Sequence, residues 1–334
     1  MVDKVSIQGL GIAGSVLAEK LSSKGVKVKA YDPQKEYVKP CGEAVPVSFF
    51  SNDYLRLTDI KSRVNRFMVK VDGKTVVDWD AKKTIWFIID KKKFVSNLRE
   101  RALAQGAELI WSTGKPEKGV YVDARGPFSQ ESDKTIPVYR LIVRGVEWDE
   151  NTVLIEFDSR KAGFYWVFPA GEKIVNIGGG FAREPKKVVK MVHNYASHVL
   201  GKGEIINKAA SIITIHPKYR ILEGRTFYVG EAAGFVMPST GEGIRPAILS
   251  AEKLSQALLE EDSIHSIYRN YASSVKPLLM ESRLSYTLFR VMLYKKPDAR
   301  ARLLSSLPRV FWKRYFSATL SSWKELFFSF FTQI

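Results

Sequence analysis

The feature that most constrains this chain is a glycine loop set between a strand and a helix. Lys4-Val5-Ser6-Ile7-Gln8 alternates as a short strand and runs straight into Gly9-Leu10-Gly11-Ile12-Ala13-Gly14. Ser15 to Lys24 follows with helical spacing, Val16, Leu17, Ala18 and Leu21 being apolar, and Gly25 ends it. A second strand, Val26 to Tyr31, finishes on Asp32. Strand, glycine loop, helix, strand and acid in this order form a dinucleotide-binding unit. Gly9 permits the tight turn, Gly11 lets backbone approach a pyrophosphate, and Gly14 lets the helix lie close on the strand. Ile12 and Ala13 complete the loop before the helix N-terminus, whose free N–H groups and positive dipole end suit phosphate. Asp32 stands where a carboxylate accepts hydrogen bonds from the adenosine ribose hydroxyls, which favours an unphosphorylated ribose. The loop by itself does not separate FAD from NAD.

Composition removes several classes. One cysteine, Cys41, allows no intramolecular disulfide and no four-cysteine metal site, in keeping with a reducing cytoplasm. Four histidines without an HxxxH spacing argue against zinc, so no metal is expected. The net charge of +17 suits a lysine-rich surface or attraction to anionic lipid headgroups. Nucleic acid is not an expected partner, because no recognition helix, RNP motif or zinc finger is present. The first residues enter a strand directly, without a secretory pattern. No apolar stretch reaches the roughly 18 residues of a spanning helix. The expectation is a cytoplasmic protein, soluble or peripheral on the inner membrane face.

Three further segments bear on the cofactor. Tyr37 to Val45 contains Lys39-Pro40-Cys41-Gly42, a turn that brings backbone close to something. Asp90 to Gly106 reads as a helix with Phe94, Val95, Leu98, Ala102 and Leu103 on one face. It leads to a strand, Ala107 to Trp111, and then to Val120-Tyr121-Val122-Asp123-Ala124-Arg125-Gly126, a strand ending in a polar turn. Arg225 to Val229 is a buried strand opening onto Gly230-Glu231-Ala232-Ala233-Gly234. Pro238-Ser239-Thr240-Gly241-Glu242-Gly243-Ile244 follows, then a helix from Arg245 to about Glu260. A second glycine loop at a helix N-terminus suits the flavin end of a cofactor, where the dipole stabilises negative charge on a reduced ring.

This ordered set resembles the geranylgeranyl reductase group of flavoproteins, within the para-hydroxybenzoate-hydroxylase-like class. The matching residues are Gly9, Gly11, Gly14 and Asp32; Lys39 to Gly42; Asp123-Ala124-Arg125-Gly126; and Gly230 to Gly234 with Pro238 and Gly241 to Ile244. Gly163-Phe164-Tyr165-Trp166-Val167-Phe168-Pro169 is similar to the group's GYxWxFP stretch, with Gly178-Gly179-Gly180 after it. The likeness covers roughly residues 4 to 260. It implies FAD, with the isoalloxazine ring near Cys41-Gly42 and the Pro238–Ile244 loop. Glu231 would lie beside the ribitol, and Arg99 would contact the cofactor phosphates. Phe164, Trp166, Phe168 and Pro169 would line the substrate wall. Cys41 is the residue by the ring with a chemical part, as proton donor or steric guide, or else it is a small buried hydrophobe. Three departures stand out. Glu231 replaces the usual aspartate, Phe164 replaces the usual tyrosine, and the chain is short toward its C-terminus.

Between the cofactor segments lie alternating stretches read as antiparallel strands. Arg66 to Val71 and Lys74 to Trp79, joined by Asp72-Gly73, form a hairpin. Arg140 to Val146, Val153 to Asp158, Tyr165 to Phe168 and Lys173 to Ile177 continue the sheet. Trp79, Trp86, Trp166 and Phe168 either line a greasy slot or form the core. Such a slot suits a polyisoprenoid, since burial contributes roughly 0.8 kcal/mol per CH₂.

Beyond Ile264 the chain turns helical, basic and aromatic. Trp312, Phe316, Leu320, Trp323, Phe327 and Phe331 make one helical stripe. It docks on the protein's own body, or residues 310–334 form a peripheral membrane contact, or they form an oligomer contact.

The fold expected is α/β with an α+β substrate part: a Rossmann-type FAD-binding domain, an inserted antiparallel-sheet domain and a helical C-terminal tail. The divisions are 1–60, 84–128 and 210–262 for the cofactor; 61–83 and 129–209 for the substrate; and 263–334 for the tail. The function expected is an FAD-dependent reductase that saturates C=C bonds of geranylgeranyl chains of membrane lipids. NADPH or ferredoxin stands as the electron donor. An aromatic monooxygenase using NADPH and oxygen, or a flavin-binding electron relay without turnover, are the alternatives.

Overall fold

A computed structural model describes residues 2–114 and 119–317 of the chain. Strands β1 (Lys4–Gln8), β2 (Lys27–Tyr31), β3 (Ala44–Pro46) and β4 (Ile60–Val64) come first. They are followed by β5 (Arg66–Val71), β6 (Lys74–Asp80), β7 (Trp86–Ile89), β8 (Glu108–Ile110) and β9 (Val120–Asp123). Next come β10 (Thr135–Arg144), β11 (Thr152–Asp158), β12 (Gly163–Pro169) and β13 (Ile174–Phe181), then β14 (Glu204–Thr214), β15 (Leu222–Glu223) and β16 (Thr226–Tyr228). The helices are α1 (Ile12–Ser22), α2 (Asn52–Leu55), α3 (Lys91–Ala104), α4 (Val188–Leu200) and α5 (Ile244–Glu260). After these run α6 (Ile264–Ser274), α7 (Lys276–Tyr294), α8 (Pro297–Ser306) and α9 (Arg309–Ser317).

The chain divides into two compact units. The first comprises Met1–Tyr37, Lys92–Thr135 and Thr214–Tyr286. Its sheet has the order β15-β16-β9-β1-β2-β8, parallel except for the β15–β16 hairpin at one edge. Parallel strands need cover on both faces, and the sequence supplies it. Val5 and Ile7 of β1 and Val122 of β9 have no exposed surface, and α1 packs against α5 with all but one of its residues buried. The dinucleotide unit read from the sequence thus has its strand, helix and strand in place. Leu103, expected on the buried face of its helix, is instead about half exposed.

The second unit comprises Val38–Lys91, Ile136–Ile213 and Thr287–Ile334. Its larger sheet runs β14-β10-β13-β12-β11-β5-β6. The Asp72-Gly73 hairpin forms as expected, both turn residues having positive φ (47° and 84°), the geometry of the tight primed turn. One pair departs from the antiparallel reading: β5 and β11 run parallel, with Met68 opposite Leu154. A separate three-stranded sheet, β3-β7-β4, places Trp86–Ile89 between two strands of the same unit. Residues 38–60 and 84–91, assigned from sequence to the cofactor domain, therefore lie in the second unit. Residues 263–286, assigned to the tail, lie in the first.

The larger sheet is buried on two chemically different faces. On one, Tyr139, Leu141, Val167, Val175, Ile177 and Phe181 pack with Val188, Val192 and Tyr195 of α4. On the other, rings cluster. Phe316 of α9 lies 4.5 Å from Phe67 and 5.5 Å from Trp86 between ring centroids, and Phe67 stacks on Trp79 at 5.3 Å. Trp86 also lies 6.0 Å from Phe168, and its indole N–H donates to the Phe316 carbonyl at 2.8 Å. Trp79 and Trp86 thus pack with α9 in a core, and Phe168 meets that cluster through Trp86.

The same contacts favour docking on the protein's own body for the part of the tail that is described. Trp312 and Phe316 are 1% and 0% exposed, so the first turns of the aromatic stripe face the protein's own sheet. Leu320, Trp323, Phe327 and Phe331 lie outside the described residues. Among the described residues no helix is long and apolar enough to cross a membrane.

Truncating a fully buried aromatic leaves a cavity worth roughly 3–5 kcal/mol. Phe316→Ala should lower the stability of the second unit by that amount, read as a fall in urea midpoint at unchanged slope.

Candidate functional site

In the first unit, three loops leave the same end of the parallel sheet. The ladder continues past the strand ends: Gly9 N–H donates to the Tyr31 carbonyl (2.8 Å), Ala124 N–H to the Gln8 carbonyl (2.7 Å), and Val229 N–H to the Asp123 carbonyl (3.2 Å). The loops then touch. A Cβ on Gly9, whose φ is +97°, would stand 2.5 Å from the Ala124 carbonyl oxygen, and one on Gly14 would stand 1.8 Å from the Gly9 oxygen. A Cβ on Gly230 would meet that of Ala13 at 3.0 Å. Gly9, Ile12 to Gly14, Asp123-Ala124 and Gly230, scattered over more than two hundred residues, are thereby brought together. Helix α1 starts at Gly11 without a side-chain cap, and a Cβ there would have only Tyr37 nearby, at 3.7 Å.

Asp32 and Arg99 hold the first loop. Asp32 accepts from the Leu10 N–H and the Gln34 N–H, each at 2.7 Å. Arg99 donates to the Leu10 carbonyl (2.9 and 2.6 Å) and to the Lys35 carbonyl (2.6 Å), with its guanidinium over the Trp111 ring at 5.3 Å. Burial draws its pKa below the ordinary arginine value. Arg99 was expected to contact phosphates. Here its guanidinium donates to loop carbonyls, which fixes the backbone of that loop.

The other predicted residues of this unit are also tied into backbone. Asp123 accepts from the Arg125 N–H (3.1 Å), the Arg125 guanidinium (2.6 Å) and the Ser129 hydroxyl (2.6 Å), and Gly126 has φ +65°. The added length of Glu231 is accommodated inward, where its carboxylate accepts the Thr214 N–H at 2.8 Å. Gln130 donates to the Glu231 and Ala232 carbonyls (3.1 and 3.0 Å). Gly230 donates to the Ser250 hydroxyl (2.8 Å). Pro238 to Ile244 closes through a Met237–Glu242 bridge and the positive φ of Gly241. Gly243 then starts α5 with no side-chain cap and open space where a Cβ would be.

What supports this second loop was not read from the sequence. Glu281, Ser282 and Ser285, all on α7 and all buried, face it. Ser282 donates to the Gly234 and Val236 carbonyls, and Ser285 meets the Ser239 N–H and hydroxyl. Arg245 bonds Glu242 (2.7 Å) and Glu281 (2.6 Å). The available signal was weak: Glu281, Ser282 and Ser285 fall at i, i+1 and i+4 of a helix that also carries Lys276, Arg283, Thr287 and Arg290.

In the second unit, Pro40, Cys41 and Gly42 lie against β12. A Cβ on Gly42 would meet the Phe168 ring at 2.4 Å. The Cys41 carbonyl accepts from the Asn176 side-chain amide (2.8 Å), and the Asn176 oxygen accepts from the Trp166 indole (2.9 Å). The Cys41 sulfur accepts from the Glu43 N–H at 3.3 Å. Glu43, with φ +63°, keeps a buried carboxylate 2.9 Å from Lys61 and 3.5 Å from Arg140. Asn176 and Glu43 are further residues that the sequence reading missed.

Alternation along β12 settles what Tyr165 can do. Phe164 packs on Phe157 (5.7 Å), on the face it shares with Trp166 and Phe168, while Pro169 ends the strand opposite Val175. Tyr165 points the other way, stacked on Tyr195 of α4 at 4.0 Å, and burial pushes its hydroxyl up to about 12. It cannot restore the hydroxyl that Phe164 lacks. Gly178 opposite Trp166 is also explained, since a Cβ there would fall 2.2 Å from the indole. Among the described residues no cluster of three or more metal-ligating side chains is present.

The chain is similar to known proteins over most of its length. A geranylgeranyl diphosphate reductase of rice chloroplasts is 24% identical over 77% of this chain, and the match spans 66% of that protein. Digeranylgeranylglycerophospholipid reductase 3 of Methanosphaera stadtmanae is 23% identical, with 88% of this chain and 87% of that one covered. Relatives of this chain are thus named geranylgeranyl reductases. The fold is shared with a solved geranylgeranyl bacteriochlorophyll reductase-like protein of Thermoplasma acidophilum, at TM-score 0.77 and 18% identity over 97% of this chain and 95% of that one. A family model described as lycopene cyclase protein matches residues 181–334.

Two outcomes follow for the first unit. Gly14→Ala forces a Cβ into backbone, so it should cost more than about 4 kcal/mol, read as loss of soluble protein or a collapsed thermal transition. Glu281 is raised from its ordinary 4.5, chiefly by burial. Native protein therefore holds more protons there than unfolded chain. That contribution to stability is full below the unfolded value and fades as pH climbs through the folded one. Glu281→Gln should flatten this part of the curve of Tm against pH.

Proposed function

We propose that this chain is an FAD-dependent reductase that saturates C=C bonds of isoprenoid chains, of the geranylgeranyl type carried by membrane lipids. The observation that carries the reading is the meeting of the Gly9–Gly14, Asp123-Ala124 and Gly230 segments at one end of the parallel sheet. A dinucleotide lies outside the carboxyl ends of such strands. An uncapped helix start at Gly11 with room above it suits a pyrophosphate.

On this reading Gly9, Gly11, Ile12, Ala13 and Gly14 receive the pyrophosphate. Asp32 keeps oxygen lone pairs for the adenosine ribose while it pins Leu10. Asp123, Ala124 and Gly126 shape the neighbouring turn. Gly230, Glu231, Pro238, Gly241, Gly243 and Ile244 serve the ribityl and flavin end, where the α5 N-terminus stabilises negative charge. Bound FAD supplies the hydride. The protein's own residues position the alkene and exclude water. Phe164, Trp166, Phe168 and Pro169 form the apolar wall that such a substrate requires. Cys41 and Gly42 sit beside that wall, and Cys41 is the group there able to give a proton. The names of the homologues favour this reading over a monooxygenase or an electron relay. Geranylgeranyl chains are what those proteins are named for.

The decisive experiment begins with the purified yellow protein. Released cofactor should run as FAD, and Asp32→Ala should lower its occupancy at least tenfold. After anaerobic reduction, a geranylgeranyl lipid should reoxidise the protein and gain two mass units per double bond. Reoxidation only by oxygen in the presence of an aromatic effector would establish the monooxygenase instead. No response to either would leave a relay.

A further inference from the structure

Asn176 has no exposed surface and lies on a strand whose sequence neighbours, Val175 and Ile177, are apolar and packed under α4. An apolar side chain would fill the position without needing partners, whereas a buried amide is costly unless both its ends are matched. Both are matched, and to unusual partners. The donor goes to the carbonyl of Cys41, 135 residues away, and the acceptor takes the indole N–H of Trp166.

The same short loop is held at three other points. Gly42 lies so close to the Phe168 ring that no Cβ fits, the Glu43 N–H reaches the Cys41 sulfur, and the Glu43 carboxylate is fixed by Lys61 and Arg140. Carbonyl, Cα, sulfur and the following side chain are each restrained. A loop of purely structural purpose needs fewer ties. In this one the Cys41 carbonyl is tied through Asn176 to Trp166, and its sulfur accepts the Glu43 N–H.

We propose that Asn176 is a positioning residue: by joining the Cys41 carbonyl to the Trp166 indole it locks the thiol to the apolar wall, and so decides which double bond of an isoprenoid chain is presented for reduction. The inference rests on the function proposed above for Cys41 and the wall.

The test uses the holoprotein and exploits Cys41 being the sole cysteine, so that iodoacetamide reports on it alone. Asn176→Leu removes both hydrogen bonds at similar volume. It should raise the alkylation rate about tenfold, lower kcat about tenfold with KM within twofold, and spread the products over more partially reduced species. Asn176→Asp keeps the acceptor for Trp166 and regains the donor only while protonated. Its alkylation rate relative to wild type at the same pH should be near one in acid and rise with pH. The proposal is overturned if the Asp variant shows a pH-independent ratio, or if folded Asn176→Leu alkylates within twofold of wild type. Should the Leu variant fail to fold, the pH dependence of the Asp variant decides. Should wild type leave the lipid untouched, the functional reading fails and the alkylation ratio alone judges the lock.

Discussion

Backbone meeting backbone at the ends of β1, β9 and β16 is the constraint on which the first unit depends. Gly14 stands against the Gly9 carbonyl, Gly9 against Ala124, and Gly230 against Ala13, with no space for a side chain at the first two contacts. Helix α1 can lie on the sheet only because of this. The position of its N-terminus, and hence of any anion held there, follows from it. Asp32 and Arg99 then stiffen the loop from outside by occupying the Leu10 amide and carbonyl. Charged groups that the sequence offers as ligand contacts serve here first as struts.

A second dependence runs through the helices that follow α5. The polar stripe on α7 carries the Gly234–Arg245 segment, and Arg300 ties down the chain that leaves that helix. Its guanidinium donates to the Leu293 and Lys295 carbonyls at 3.0 and 2.7 Å, as well as to those of Met292 and Ser159. A buried charge is tolerable here because four carbonyl oxygens accept from the guanidinium and the helix C-terminus is the negative end of a dipole. The basic character of this stretch therefore includes at least one charge used for architecture rather than for a partner.

Local features were legible in the sequence. The nucleotide loop, the Asp72-Gly73 turn and the alternation of β12 depend on residues adjacent in the chain, where spacing and glycine carry the information. Long-range pairing was not legible. Nothing near Trp86 says that it sits between β3 and β4, and nothing near Val153 says that β11 runs parallel to β5. Asn176 is one polar residue in an apolar strand, a signal too weak without its partners at Cys41 and Trp166. The stripe through Trp312 and Phe316 illustrates a different limit: periodicity reveals that a helix has an apolar face, not what covers it. The carbonyls that Arg99 meets were not legible either, because a helix pattern fixes a side chain's face and not its hydrogen bonds.

The alternation of β12 has an evolutionary consequence. Phe164, Trp166 and Phe168 share one face, while Tyr165 and Val167 belong to the core beneath α4. Parity along a single strand thus separates two kinds of selection. Even-numbered positions answer to Phe157, Asn176, Trp86 and the Gly42 backbone, and odd-numbered ones to the helix packed beneath. A lineage that altered every second residue of this strand would therefore remodel one of these surroundings while leaving the other in place.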